Sequence, residues 1–118
     1  MKTRVLIVED DAVFRRGLAR MFVNDECEVI QATDGDQAIR SMRDCLPDLI
    51  ICDLRLPGTD GMGVLSYLKA HDANALFVLV TAYCTEDLIA EAKSHGAGAV
   101  FEKPIDLQQL RERCRQML

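Results

Sequence analysis

Four short apolar runs, Val5–Val8, Leu49–Cys52, Leu76–Val80 and Ala99–Phe101, are separated by stretches in which apolar residues recur at helical spacing. Runs this short are strand-length, and their alternation with segments of period 3.6 marks βαβ units around a parallel sheet buried on both faces. The helical stripes are Phe14, Leu18, Met21 and Phe22; Ala38, Ile39, Met42 and Cys45; Val64, Leu65 and Leu68; and Leu107, Leu110, Cys114 and Met117. Asp106 is placed to cap the last helix, with Gln109 as the reciprocal partner of a capping box. A further helix, about residues 86–95, carries a thinner stripe of Leu88, Ile89 and Ala92 and stops at Gly96. Glu28–Gln31 is a short strand flanked by charge, which suits the edge of a sheet. Five strands and five helices follow, an α/β domain with helices on both faces.

The polar residues that end the runs are Glu9 and Asp10, Asp53, Thr81 and Lys103. Parallel strands bring their carboxyl ends to one edge of the sheet, where open α/β folds build their sites. Glu9, Asp10 and Asp11 are three successive acids, and crowding carboxylates is unfavourable unless a hard cation such as magnesium neutralises them. Asp11 also suits the N-cap of the first helix, which leaves Glu9 and Asp10 as the metal-facing pair. Asp53 emerges from a run too apolar to be a surface strand, and Pro57-Gly58 after it has the order of a type II turn. A carboxylate nucleophile attacking phosphorus needs positive charge and donors around the phosphoryl oxygens. A metal, a lysine and a hydroxyl supply them together.

Composition narrows the function further. At 118 residues the chain fits one domain, residues 1–118, with no room for a second, and a domain of this size buries roughly two-thirds of its unfolded surface. A formal charge of −5 with scattered basic residues argues against direct nucleic-acid binding. Arg111, Arg113 and Arg115 spread around a helix and suit its negative C-terminal pole. Five cysteines without CxxC spacing indicate neither a zinc site nor a disulfide framework; they read as buried small apolar residues in a reducing cytoplasm. The opening Met1-Lys2-Thr3-Arg4 and its short apolar run lack the roughly 7–15-residue apolar stretch of a signal peptide. No run approaches the roughly 20 residues that cross a bilayer.

Val5-Leu-Ile-Val-Glu-Asp-Asp11, Pro47-Asp-Leu-Ile-Ile-Cys-Asp53, Leu56-Pro-Gly-Thr-Asp-Gly61, Val80-Thr-Ala82, and Gly96-Ala97 through Lys103-Pro104 occur in this order across the chain. In this the chain resembles the receiver domain of bacterial response regulators, over essentially its whole length. The resemblance implies a flavodoxin-like doubly wound (βα)5 domain with a five-stranded parallel sheet in the order 2-1-3-4-5, the order of a chemotaxis receiver. It makes Asp53 the phosphate acceptor and Asp10 the direct magnesium ligand, with Glu9 acting partly through water and Arg55 lending its backbone carbonyl. Thr81, the backbone N–H of Ala82, and Lys103 would hold the phosphoryl group, and Lys103–Pro104 would be cis. The implied function is a phosphorylation-switched receiver of a two-component system, modified by a sensor histidine kinase or phosphotransfer protein. It would signal through the fourth helix, fifth strand and fifth helix to a downstream protein or attached output domain. It would not be an enzyme acting on other molecules. A homodimer on phosphorylation, and the choice between a stand-alone regulator and part of a longer one, stay open.

One position departs from the family pattern: relatives carry an aromatic residue three before the lysine, and here that position is Val100, with Phe101 one place late. A switch through Thr81, the loop after it and the fourth helix, without an aromatic rotor, is therefore expected. Two other readings share parts of the pattern. A haloacid-dehalogenase-like phosphatase needs a second aspartate two residues after the nucleophile, where this chain has Arg55. A flavodoxin-like FMN carrier needs phosphate-binding hydroxyls and amides in the first loop, where Glu9-Asp10-Asp11 would repel the ligand.

Overall fold

Each apolar run is a strand whose residues alternate between two buried layers. The computed structural model describes residues 2–23 and 26–118; Met1, the start of the N-terminal segment read above, lies outside them. The elements run β1 (Thr3–Val8), α1 (Ala12–Val23), β2 (Cys27–Ala32), α2 (Gly35–Asp44), β3 (Leu49–Cys52), α3 (Gly61–His71), β4 (Leu76–Thr81), α4 (Glu86–Ser94), β5 (Ala99–Glu102) and α5 (Leu107–Met117). All strand pairs are parallel, in the order β2-β1-β3-β4-β5. This is the flavodoxin-like doubly wound order, and β2 lies at an edge as its charged flanks suggest.

Period two inside the runs divides the core. Leu6, Val8, Ile50, Cys52, Phe77 and Leu79 face one layer, closed by α2, α3 and α4 through Ala38, Met42, Val64, Leu65, Leu68 and Ala92. Val5, Ile7, Leu49, Ile51, Val78 and Val80 face the other, closed by α1 and α5 through Leu18, Phe22, Leu110 and Cys114. Because both faces are covered, the strands read as continuous apolar runs rather than as alternation. Among the described residues Ile89 joins neither core cluster, so α4 enters the layers through Ala92 and the partly buried Leu88.

Helix ends follow local chemistry. Asp11 accepts from the Val13 and Phe14 N–H groups at 3.0 and 3.3 Å, which makes it the cap of α1. Asp106 caps α5 by accepting from Gln108 and Gln109, but the reciprocal bond from the Gln109 side chain is not formed, so the cap is a lone aspartate rather than a box. Gly96 has φ +108°, a left-handed stop after α4. The cysteines correct another expectation. Cys52 and Cys114 are buried, whereas Cys27, Cys45 and Cys84 are half-buried, because they fall at strand starts, helix ends and loops rather than inside the layers.

Candidate functional site

The sheet ladder itself places the site residues. Beyond the regular strands, the Glu9 N–H donates to the Ala32 carbonyl, the Asp53 N–H to Val8 and the Lys103 N–H to Thr81, at 2.9–3.1 Å. The carboxyl ends of β1, β3 and β5 are thus locked to their neighbours at the residues that carry charge. Glu9, Asp10 and Asp53 each offer a carboxylate oxygen within 4.8 Å of the others'. The Lys103 ammonium lies between two of them, donating to Glu9 Oε1 at 2.5 Å and to Asp53 Oδ2 at 3.0 Å. The peptide bond to Pro104 that follows is cis.

Burial grades these groups. Glu9 is 2% exposed, Asp53 half-buried and Asp10 open to solvent. Burial pushes the Glu9 carboxyl above its ordinary range, although the Lys103 and Asp11 hydrogen bonds pull the other way. Burial alone would lower Lys103; the Glu9 and Asp53 carboxylates outweigh it and hold the ammonium above its usual value, so it stays charged. Below Asp53, desolvation first and the nearby carboxylates second drive the Cys52 thiol well upward, keeping it neutral. It donates to the Asp53 carbonyl at 3.1 Å.

Thr81 is completely buried, and its hydroxyl oxygen accepts the Tyr83 N–H at 3.1 Å, leaving the O–H proton free to donate elsewhere. Ala82 lies exposed beside it and lines a groove of about 440 Å3 with Asp11, Phe14, Lys103, Pro104, Ile105 and Leu107. The Arg55 guanidinium stacks 3.8 Å above the Tyr83 ring, so the two loops that flank Asp53 touch through their side chains. The structure therefore brings together Glu9, Asp10, Asp53 and Lys103, with Thr81 and Ala82 on the neighbouring strand end.

The contacts of two residues were not legible in the sequence. The Phe14 ring lies 4.7 Å below the Lys103 ammonium, a cation–π contact from a residue whose helical spacing marks it only as core. Arg15 reaches back from α1 to donate to the Glu9 carbonyl at 3.0 Å and to Gln31 Oε1 at 3.1 Å, pinning the acidic loop. An arginine on a helix carries no sign of which backbone it will meet.

Acids just past β1 and β3 and a lysine just past β5 thus share one edge of the sheet. The family model of the response regulator receiver domain matches residues 5–115. The chain belongs to this family. It is the receiver domain of a two-component response regulator. Sporulation initiation phosphotransferase F of Bacillus subtilis is 34% identical over 118 residues, covering all of this chain and 95% of that protein. Among solved structures, the signal receiver domain of a putative Luxo repressor protein from Vibrio parahaemolyticus superposes with a TM-score of 0.92 at 27% identity, covering 99% of the receiver and 90% of that chain. A CheX–CheY–BeF3–Mg2+ complex from Borrelia burgdorferi gives 0.89 at 26% identity, covering 97% and 87%. Other relatives are longer, and the receiver spans only 23% to 52% of two of them. Receivers bind magnesium at an acidic pocket and work with histidine kinases, phosphotransfer proteins and output domains; the acidic cluster is present here. Among the described residues no helix is long and apolar enough to cross a membrane.

Proposed function

We propose that this receiver takes a phosphoryl group on Asp53 from a sensor histidine kinase or phosphotransfer protein in a magnesium-dependent transfer. The observation that carries the reading is the Lys103 ammonium between the Glu9 and Asp53 carboxylates, with Asp10 completing the acidic set. Glu9, Asp10 and Asp53, with the Arg55 backbone carbonyl, would hold the metal. Hard oxygen donors of this kind suit magnesium, and the Borrelia burgdorferi complex, which includes Mg2+ and BeF3, supports the choice. Held there, magnesium would supply positive charge to neutralise the phosphoryl oxygens.

The chain's own groups divide the remaining work. An Asp53 carboxylate oxygen bonds to phosphorus as the donor's P–N bond breaks, and the released imidazole takes a proton from solvent. Lys103, held charged by its neighbours, stays beside Asp53 and pairs with the new phosphoryl oxygens. The Thr81 hydroxyl, its oxygen already accepting from Tyr83, turns its proton to the phosphoryl group, and the Ala82 N–H donates beside it. No acid stands two residues after Asp53, where Arg55 instead stacks on Tyr83, which supports a receiver that modifies only itself over a phosphatase acting on other molecules. Output passes through the face of α4, β5 and α5 to a downstream protein or attached domain, with homodimerisation as one form of it. The unbridged thiols of Cys45, Cys52, Cys84 and Cys114 suit the cytoplasm.

Intact mass after exposure to acetyl phosphate tests this reading. One phosphoryl group should appear with magnesium, none with chelator, and none in Asp53→Asn. Equal labelling of Asp53→Asn would refute it, and rapid turnover of a small phosphate ester would favour a phosphatase instead.

A further inference from the structure

The loop from β3 to α3 carries Asp53 at its start and Arg55 two positions on, and its far end is fastened to a different element. The Thr59 hydroxyl donates to Asp36 Oδ1 in the first turn of α2 at 2.7 Å, joining residues 23 positions apart. The backbone around this pair leaves no slack. A methyl group at Gly35 would lie 1.9 Å from the Thr59 carbonyl oxygen, and one at Gly63 would lie 2.5 Å from Thr59 Cγ2. Gly58, at φ +72°, brings the chain so close that a methyl there would sit 2.5 Å from Asp36 Oδ2. At the near end of the loop, the Gly61 N–H donates to the Leu54 carbonyl at 2.7 Å.

Residues 54–59 therefore form an arch closed at both feet, one by Gly61 on Leu54 and the other by α2 on Thr59. The α2 foot is firm in its own right. Asp34 caps the helix by accepting the Gln37 N–H at 2.7 Å, and Gln37 Oε1 in turn accepts the Thr33 N–H. Arg55 lies between the feet, so the course of its carbonyl follows from where Thr59 is held.

We propose that Thr59, held by Asp36, is a positioning residue for the divalent metal, fixing the arch that presents the Arg55 carbonyl. The proposal rests on the magnesium reading given above. Magnesium demands near-octahedral geometry, so a displaced carbonyl is felt in metal affinity even where the fold is unchanged. The bond is solvent-exposed and joins a loop to a helix start, so its loss should leave the sheet and its layers intact.

Magnesium titration by calorimetry and amide chemical shifts, with thermal unfolding in chelator alongside, tests this in the parent, Thr59→Val, Thr59→Ser, Asp36→Ala and Asp36→Asn. Thr59→Val and Asp36→Ala should each weaken magnesium binding about three- to tenfold, the equivalent of one net hydrogen bond. Their double mutant should be no weaker than either, because both remove the same bond. Thr59→Ser and Asp36→Asn keep a donor and an acceptor and should bind like the parent. If Thr59→Val and Asp36→Ala keep parental affinity and lower only the unfolding midpoint in chelator, the bond is merely structural and the proposal fails. It also fails if Asp36→Asn weakens binding as much as Asp36→Ala, since charge at a distance then explains the effect. A parent that shows no magnesium binding sensitive to Asp10→Asn overturns the metal reading and the positioning role together, and the parent's own affinity separates that failure from the other two.

Discussion

At the scale of single residues, one carboxylate and one ammonium owe their states to neighbours rather than to type. Glu9 is buried where it continues β1, and its desolvation is only partly offset by Lys103 arriving from just past β5. The thiols show burial without such a partner. Desolvation pushes Cys114 from its ordinary 9.0 up to about 12, and Cys52, fully buried beside Asp53, is raised as well. An acid whose pKa is raised by folding leaves stability unchanged below its unfolded value and lowers it as pH climbs toward the folded one. Between pH 9.0 and about 12 the unfolded chain releases the Cys114 proton while the native chain retains it, so stability should fall by about 1.4 kcal/mol per pH unit from this thiol. Denaturant midpoints across that range should flatten in Cys114→Ala by this amount. Mass spectra of native protein alkylated at pH 8 should show Cys45 and Cys84 modified well before Cys52 and Cys114; equal rates would mean that the core opens readily.

Among the elements, α4 stands apart. The helices α2 and α3 bury Ala38 and Met42, and Val64, Leu65 and Leu68, respectively, whereas Ala92 is the sole fully buried residue of α4. Low local stability of this kind is where switching elements are found. Val100 packs in the layer that contains Ala92 and Leu88, and Phe101 packs with α1 and α5 in the opposite layer, as adjacent strand positions must. The residue beside α4 is therefore β-branched and stiff, and the ring is on the wrong side to replace it. Phosphorylation should raise or lower hydrogen exchange chiefly over residues 82–95, and Thr81→Ala should suppress that change while Asp53 still accepts phosphate. A response centred on reorientation of the Phe101 ring, or one undiminished in Thr81→Ala, would refute this route.

On the scale of the whole molecule, three like charges converge on one end of a sheet that is otherwise apolar. Binding a cation to the native state alone stabilises it by mass action, by about 2.7 kcal/mol at a hundred times the dissociation constant. For a domain of this size magnesium should raise the unfolding midpoint on the order of 10 °C, and chelator should reverse the shift. Asp10→Asn should lose most of the response. A midpoint indifferent to magnesium in the parent would count against a metal site at Glu9, Asp10 and Asp53.

Much of this architecture could be read from the order of residues. Short apolar runs between helical stripes dictate parallel strands covered on both faces, and a polar residue at the end of each run must emerge at one edge, because parallel strands share a direction. Glu9, Asp10, Asp53, Thr81 and Lys103 were legible for that reason. What the tertiary structure decided are contacts between segments distant in the chain whose residue types have ordinary local uses. Phe14 fits a core stripe, yet its ring lies under Lys103. Arg15 looks like a solvated helix residue, yet it holds the Glu9 carbonyl. Gln109 has the spacing of a capping box and does not complete it. Thr59 lies in a loop and Asp36 in the first turn of a helix, and only the approach of α2 to the β3–α3 loop joins them. Spacing along the chain encodes periodicity and strand direction, whereas the meeting of long side chains depends on how two layers pack, which no local pattern specifies.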